Sequence, residues 1–168
     1  SGAQAGGVQV HGASADLKQG FYQLNWEEGA SLFGFDYPMA LSAFDTDQVY
    51  DEQQGQYITL PGATLVYACF KGLPMGWSWS MHFCNRITED CLHVGIATAL
   101  AVPASCVKLF REGCPAPALE PGLAIGSCYV DNANIVAPCS DLANRALAGV
   151  LAEFTRRRLI YHEVVWAE

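Results

Sequence analysis

The sequence predicts an α+β fold in which helices pack on one face of an antiparallel sheet. Strand-forming runs flank Asp131 and Asn132 and indicate a β-hairpin, because Asp and Asn tolerate the left-handed backbone of a tight turn. Apolar residues at helical spacing indicate one helix over residues 78–93 and a second that begins at Ser140. Strands and helices in this order favour a layer of helices on a sheet.

The first half of the chain is predicted to be mostly extended. A short strand over 13–17 leads into a tight turn or a single helical turn at 20–24. Beyond it, β-branched and aromatic residues favour strands, whereas Pro, Gly and clustered acids favour loops. We therefore expect extended chain over 32–35 and 40–44, an acidic loop over 45–52, and a hairpin of 57–60 and 64–70 around Pro61-Gly62.

Two helices and a closing strand are expected in the second half. Ser78 or Ser80 can cap the first helix, and Ser140 can cap the second. Their buried stripes are expected to be Cys84, Ile87 and Cys91 in the first helix, and Leu147, Val150, Leu151 and Phe154 in the second. Four prolines predict an irregular insertion over about 95–124, with one helical turn at 106–110, and a strand over 159–165 ends the domain.

Length and composition suit a single globular domain. The chain has 168 residues, of which 51% are hydrophobic, so residues 13–168 are expected to form one domain after a flexible lead-in of residues 1–12. The longest weakly polar stretch, 94–107, is interrupted by Pro103 and is shorter than the roughly 18 residues that span a bilayer, so no membrane contact is expected. Seven cysteines without a Cys-x-x-Cys pair indicate free thiols in a reducing compartment.

The net charge of −8 argues against binding of nucleic acid by this segment alone, because nucleic-acid-binding proteins usually present a basic face. The objection weakens if acidic residues surround a cation site and if basic surfaces lie elsewhere in a longer protein. The one basic cluster is Arg156-Arg157-Arg158.

Asp16 and Asp131 are placed to hold divalent cations. Asp16 ends a predicted strand and Asp131 lies on the tip of the hairpin, so an adjacent strand and hairpin would bring both carboxylates to one end of the sheet. Phosphoryl transfer to a growing chain end uses two divalent cations about 3.5–4 Å apart. Magnesium takes hard oxygen ligands, typically one or two carboxylates together with substrate phosphates.

Three stretches, in this order, resemble the palm of a reverse transcriptase. Residues 16–24 (Asp-Leu-Lys-Gln-Gly-Phe-Tyr-Gln-Leu) resemble the first palm motif, and residues 73–78 (Leu-Pro-Met-Gly-Trp-Ser) resemble the Leu-Pro-x-Gly motif before the long palm helix. Residues 129–132 (Tyr-Val-Asp-Asn) resemble the Tyr-x-Asp-Asp hairpin, and residues 158–162 only weakly match the next motif. The resemblance spans about 13–165 and implies a reverse-transcriptase-like palm.

The resemblance implies a role for each matching residue. Asp16, Asp131 and the backbone carbonyl of Leu17 would hold two Mg²⁺ ions, for which Mn²⁺ can substitute, and Asn132 falls at the third catalytic position. Phe21 would be the steric gate that excludes ribonucleotides. The other nucleotide-binding positions would be Met75 and Gly76 beside the incoming nucleotide, and Tyr129 and Val130 beside the primer end. Core packing for Phe21, a turn role for Met75 and, for Tyr129, the role of a strand residue that packs inward remain alternatives.

The implied activity is RNA-directed DNA synthesis, in which dNTPs are joined to the 3′-OH of a DNA primer on an RNA template. The Asp-Leu-Lys and Leu-Pro-Met-Gly forms resemble retroviral and LTR-retrotransposon enzymes. Partners implied by that class are the remaining parts of a longer polyprotein: the start of the fingers, the thumb and, as open alternatives, RNase H and integrase. The implied location is intracellular, either nuclear or cytoplasmic.

Asn132 departs from the family pattern, which has a second aspartate there. An amide is neutral and its NH₂ group donates rather than accepts hydrogen bonds, so it is a poorer cation neighbour. A degenerate, inactive reverse-transcriptase fold that serves as a structural or nucleic-acid-binding module is therefore the alternative hypothesis. A third is an unrelated α+β domain in which these motifs occur by chance.

Overall fold

The computed structural model describes residues 9–26, 32–51 and 53–168. These residues form two compact units: the described parts of 1–24 together with 75–168, and the described parts of 25–74. Residues 1–8 of the predicted lead-in lie outside the described residues, and its last two residues, His11 and Gly12, belong to the first strand.

Strands and helices alternate irregularly along the chain. They are β1 (His11–Leu17), α1 (Gly20–Gln23), β2 (Met39–Ala40), β3 (Gln48–Asp51), β4 (Gln56–Thr59), β5 (Leu65–Val66), α2 (Ser78–Leu100), β6 (Lys108–Phe110), β7 (Ile125–Tyr129), β8 (Asn132–Ala137), α3 (Ser140–Arg156) and β9 (Tyr161–Val165). Short 3₁₀ helices lie at Leu41–Phe44 and Ala104–Cys106.

The first unit is built on a five-stranded sheet with the order β6-β7-β8-β1-β9. β6 runs parallel to β7, whereas β7–β8, β8–β1 and β1–β9 are antiparallel pairs. The fold is therefore mixed α+β, as predicted, but the expectation of a purely antiparallel sheet is wrong. The parallel strand comes from the proline-rich segment, where no strand was expected.

Side chains of β1 and β8 alternate between the two faces of the sheet. Ala13, Ala15 and Leu17 are buried, and so are Ile135 and Ala133, the partners of Ala13 and Ala15 in β8. α2 and α3 pack against this face and against each other. Asp16 alternates with these residues and therefore belongs to the opposite face.

The two long helices meet at glycines. A Cβ on Gly95 of α2 would lie 2.6 Å from the Cα of Val150 and 2.7 Å from its backbone nitrogen in α3. A Cβ on Gly149 would lie 2.5 Å from the Cβ of Ala99. The helix axes can approach this closely only because neither position carries a side chain.

α3 has the predicted buried stripe, since Leu147, Val150, Leu151 and Phe154 are all buried. In α2, Cys84 and Cys91 are buried as predicted, whereas Ile87 is only partly buried. α2 ends at Leu100 rather than 93, so the predicted insertion begins as helix. Residues 108–110 form β6 in place of the expected helical turn.

The expected serine caps are not observed. The N-cap residues are Trp77 for α2 and Cys139 for α3, and neither caps its helix with a side-chain hydrogen bond.

Ion pairs also join the two long helices. Glu153 of α3 is only 6% exposed and accepts hydrogen bonds of 2.6–2.7 Å from Arg156 and Arg157. Arg157 also donates to Asp90 of α2 at 2.6 Å. Hydrogen bonds from Arg156 are the largest influence on the pKa of Glu153 and lower it. The hydrogen bonds and the positive charge of Arg157 lower it further, so that the pKa is about 2 although burial raises it.

Replacing this carboxylate is expected to cost stability at neutral pH. Because the pKa of Glu153 is lower in the folded chain than its ordinary value of 4.5, its contribution is complete above about pH 4.5 and is lost as the pH falls towards 2. We expect Glu153→Gln to lower the free energy of unfolding by about 2 kcal/mol at pH 7 and by much less near pH 2.

Urea unfolding at both pH values measures this effect. The exposed pair of Lys108 and Glu120 supplies the control, since Glu120→Gln should cost less than about 1 kcal/mol. Equal losses for the two variants at pH 7 would contradict the role of Glu153.

The second unit consists of two small antiparallel pairs. β3 pairs with β4, and β2 pairs with β5. The carboxylate of Asp51 accepts hydrogen bonds from the backbone N–H groups of Gln53 and Gln54 at 2.9 and 3.2 Å and so shapes the turn between β3 and β4. The predicted hairpin around Pro61-Gly62 is therefore wrong, as are the predicted acidic loop at 48–51 and the extended chain at 41–44.

None of the helices in the described part of the chain is both long enough and apolar enough to cross a membrane.

Candidate active site

Asp16 lies near the end of β1, on the face of the sheet opposite the helices. It is paired with Asn132 of β8 on one side and with His162 of β9 on the other. Paired residues of antiparallel strands project on the same face, so the three side chains are neighbours. The imidazole Nε2 of His162 lies 3.0 Å from Oδ2 of Asp16.

Asp131 lies in the turn between β7 and β8. The turn residues are Val130 and Asp131, since Tyr129 pairs with Asn132. The predicted Asp131-Asn132 turn is thus displaced by one residue, and Asn132 begins β8. Val130 has a φ of 58°, whereas Asp131 does not have a positive φ.

Asn85 of α2 fixes this turn. Its side-chain oxygen accepts a hydrogen bond from the backbone N–H of Val130 at 3.2 Å and one from the thiol of Cys128 at 3.3 Å. A β-branched residue at positive φ is strained and requires such support. Asn85 was not among the predicted site residues, although an Asn beside a buried stripe in the interior of a helix is a signal for such a contact.

The strand end and the turn are joined directly. The backbone N–H of Leu17 donates to the carbonyl of Asp131 at 3.2 Å. Gly20 of α1 makes room for the aspartate, because a Cβ at this position would lie 2.8 Å from the Cβ of Asp131. The two predicted carboxylates therefore come together at one end of the sheet.

The electrostatics of the pair disfavour a second negative charge. Burial raises the pKa of Asp131, and the charge of Asp16 raises it further. A hydrogen bond to the backbone of Asp131 and the charge of His162 act in the opposite direction. Oδ1 of Asp16 is buried and has no hydrogen-bond partner among the described residues. A buried carboxylate oxygen without a partner is costly, and a cation would satisfy it.

These carboxylates fit the donor requirements of magnesium. No group of three or more His, Cys, Asp and Glu residues within the described ranges is arranged to hold a metal ion by itself. Magnesium commonly uses only one or two protein carboxylates and completes its shell with water and substrate phosphates. The unpartnered oxygen of Asp16 beside Asp131 is consistent with such a shared site.

The thiols beneath the site are poor ligands. Burial, followed by the charges of Asp131 and Asp16, raises the pKa of Cys84 to about 12. Burial also raises the pKa of Cys128 to about 12. Both groups are therefore protonated thiols at neutral pH, and thiolate chemistry does not compete with the carboxylates.

The other predicted site residues lie at varying depths. Leu17 is fully buried, and Phe21 is half-buried in α1 directly after Gly20. Met75 is 68% exposed, and Gly76, with a φ of 92°, lies in an open position where a Cβ would meet nothing within 4 Å. Leu17 directly follows Asp16 in the chain, and Phe21 follows Gly20, which lies against Asp131, whereas Met75 and Gly76 belong to the turn before α2.

Tyr129 and Val130 border an open cleft of about 360 Å³ beside the hairpin. Tyr129 is 70% exposed there. The other walls come from α2, from the end of β6 and the residues after it, and from β7: Met81, His82, Asn85, Glu89, Phe110, Arg111, Glu112 and Cys128. The exposure of Tyr129 contradicts the alternative that its ring packs inward.

Gln23 is a second supporting residue that the sequence did not reveal. Its side-chain amide donates to the carbonyl oxygens of Lys18 and Ile160 at 2.5 and 2.8 Å, and its oxygen accepts from the N–H of Ile160 at 2.5 Å. These bonds tie the residues after β1 to those before β9. They fix the two strand ends that carry Asp16 and His162.

Neutralising Asp131 is expected to stabilise the metal-free chain. Because the folded chain raises the pKa of Asp131, the folded state binds the proton more tightly, and stability falls as the pH rises above its ordinary value of 3.8. We expect Asp131→Asn to raise the melting temperature by about 1–3 °C at pH 7 and to have no stabilising effect near pH 4.

Thermal melts in a chelating buffer measure this difference, with Asp47→Asn as an exposed control outside the site. Added Mn²⁺ should make the parent melt at a higher temperature than Asp131→Asn, because a ligand stabilises only the protein that binds it. A variant less stable than the parent at pH 7 without metal would contradict the described electrostatics.

A scan of protein-family models finds none that matches this chain, and a search of curated proteins finds no match either. The assignment of a function therefore rests on the residues and their geometry.

Proposed function

We propose that this chain is the palm of an RNA-directed DNA polymerase of the LTR-retroelement type. The observation that carries the proposal is the juxtaposition of Asp16 and Asp131. The backbone of the residue after Asp16 is bonded to Asp131, and one buried oxygen of Asp16 has no hydrogen-bond partner among the described residues. The order of the motifs in the sequence supports the same interpretation.

Under this proposal Asp16 and Asp131, with the backbone carbonyl of Leu17, hold two Mg²⁺ ions. The ions would lower the pKa of the primer 3′-OH and neutralise charge on the triphosphate of the incoming dNTP. The primer 3′-OH would give up its proton to solvent, and its oxygen would attack the α-phosphorus. As the new phosphodiester bond forms, the bond from the α-phosphorus to the bridging oxygen of the β-phosphate would break, and pyrophosphate would leave. The protein contributes position and charge rather than a covalent intermediate.

The chain's own residues would keep this arrangement rigid. Asn85 holds the strained turn that carries Asp131, and Gly20 leaves space for its side chain. Gln23 ties together the strand ends on either side of Asp16. Because catalytic carboxylates must lie within about 0.5 Å of their productive positions, such supports are expected around a polymerase site.

The test is primer extension on an RNA template with dNTPs and Mg²⁺, using the chain joined to the finger and thumb segments that the resemblance implies. We expect incorporation that requires the template and a divalent cation. If the chain binds Mn²⁺ at Asp16 and Asp131 but never extends a primer, the degenerate, non-catalytic fold becomes the better hypothesis. Asn132 and the acidic composition favour that second candidate.

Substitution of Phe21 is expected to relax the choice of sugar. The half-buried ring follows Gly20, which packs against Asp131, and is the implied gate against a 2′-hydroxyl. Phe21→Ala should lower the preference for dNTPs over NTPs by roughly 10- to 100-fold, the range typical of a lost shape contact.

Single-nucleotide incorporation with each substrate measures this preference. Tyr22→Ala, which removes the neighbouring ring, is the control and should leave the preference unchanged. An unaltered preference in the Phe21 variant would instead favour a packing role for that ring.

A further inference from the structure

His162 is hydrogen-bonded to one carboxylate oxygen of Asp16, and the other oxygen has no hydrogen-bond partner among the described residues. Its Nε2 is 3.0 Å from Oδ2, whereas Oδ1 is buried and has no hydrogen-bond partner among the described residues. The carboxylate side chain is 23% exposed and the imidazole 40% exposed, so the bond lies at the boundary between protein and solvent. His162 is not itself one of the proposed cation ligands.

An irregularity in β9 places His162 opposite Asp16. Asp16 pairs with His162 and Ser14 pairs with Val165, so the register shifts by one residue between these pairs. The extra residue lies on β9, where Glu163 has a φ of 50°. Such a bulge redirects the side chains of one strand, and bulges are frequent beside functional sites.

The start of β9 is fixed independently of His162. The carbonyl of Ile160 accepts hydrogen bonds from the N–H of Lys18 at 2.9 Å and from the side chain of Gln23 at 2.8 Å. The N–H of Ile160 donates back to Gln23. The backbone two residues before His162 is therefore anchored, and the imidazole is held near Asp16 rather than drawn there by the carboxylate alone.

We propose that His162 is a positioning residue of the cation site, whose Nε2–H holds Oδ2 of Asp16 and so reserves Oδ1 for the cation. The inference rests on the proposed function, because it assumes that Asp16 is a ligand. A hydrogen bond to one carboxylate oxygen limits rotation of the group and lowers the entropy lost when a cation binds the other oxygen. Partners of this kind typically change metal affinity by 10- to 100-fold.

The test compares Mn²⁺ affinity, by electron paramagnetic resonance of the free ion, among five proteins: the parent chain, His162→Phe, His162→Gln, His11→Phe and Asp131→Asn. Phe keeps the size of a ring but cannot donate, whereas the amide of Gln can. His11 lies at the opposite end of β1 and bonds to the carbonyl of Glu168, so it is the matched control. Melting temperatures in chelating buffer report stability separately.

We expect His162→Phe to weaken Mn²⁺ binding by about 10-fold or more, and His162→Gln and His11→Phe to remain within about threefold of the parent. Parental affinity in a folded His162→Phe variant would overturn the inference. If Asp131→Asn also binds Mn²⁺ like the parent, the proposed cation site itself fails. If only the His162 variant behaves like the parent, the site stands and the role of His162 fails.

Two measurements on the parent chain keep the inference testable should His162→Phe not fold. Nitrogen NMR of the ring in the presence of Mg²⁺ should find the proton on Nε2. Electron spin echo spectra with Mn²⁺ should lack the coupling of a directly bound nitrogen. An unprotonated Nε2, or a nitrogen bound to Mn²⁺, would make His162 something other than a positioning residue and would overturn the inference.

Discussion

Asp16→Asn is expected to lower template-directed primer extension by about a thousandfold or more while the fold is retained. The substitution removes one of the two carboxylates that the fold brings together, yet its amide can still interact with His162 and fills the same volume. The loss should therefore be catalytic rather than structural.

The rate of single-nucleotide incorporation, measured with melting temperature, separates the two effects. Asp141→Asn, which changes an exposed aspartate in the first turn of α3, is the control and should extend primers at the parental rate. Extension by Asp16→Asn within tenfold of the parent would remove this carboxylate from the reaction.

Gly95→Ala is expected to cause a large loss of stability. Its new Cβ would lie 2.6–2.7 Å from backbone atoms of Val150, which cannot move without shifting α3. Overpacking of this kind costs about 3 kcal/mol, only partly offset by the gain of about 1 kcal/mol when Ala replaces Gly within a helix. The melting temperature should fall by roughly 4–8 °C.

A matched control is Gly12→Ala in β1, where the nearest atom to a new Cβ is 3.9 Å away. That variant should differ from the parent by less than about 1 kcal/mol. A Gly95→Ala variant as stable as the parent would mean that the two helices do not approach as closely as described.

The approach of Asp16 and Asp131 to the same end of the sheet was predictable from the sequence. A strand that ends in a carboxylate and a hairpin with a carboxylate at its tip need only be neighbours for both groups to meet, and β1 does pair with β8. The stripe of α3 was also predictable, because Leu147, Val150, Leu151 and Phe154 repeat with the helical period. Local chemistry determined these features.

The supports of the site were not predictable, because they depend on contacts between residues far apart in the chain. Asn85 and Val130 are 45 residues apart, and Gln23 and Ile160 are 137 apart. Local patterns do not reveal which polar residue on a helix faces a distant turn. The contact of His162 with Asp16 depends further on a bulge in β9 that no residue pattern indicated.

The predicted hairpin around Pro61-Gly62 was wrong for a different reason. Pro61-Gly62 has the composition of a hairpin turn, but the hairpin that forms is closed by Asp51, whose side chain accepts two backbone hydrogen bonds, and by Gly55 at a φ of 65°. Asx turns and Pro-Gly turns have similar local signals. Which of the two turns closes a hairpin depends on long-range strand pairing, here that of β2 with β5.

Asn132 remains the position where the chain departs from the family pattern. It is paired with Asp16, so an aspartate there would place a third carboxylate beside the two present. A unit charge about 4 Å from a cation is worth up to roughly 4 kcal/mol at an effective dielectric of 20, before solvent screening reduces it. Restoring it should strengthen cation binding.

The measurement that tests the central claim most directly is a Mn²⁺ titration of the parent chain, Asp131→Asn and Asn132→Asp, followed by electron paramagnetic resonance. If Asp16 and Asp131 form a divalent cation site, Asp131→Asn should lose binding by about 100-fold and Asn132→Asp should bind more tightly than the parent. Identical affinities in all three proteins would show that these carboxylates bind no cation and would contradict the proposed polymerase site.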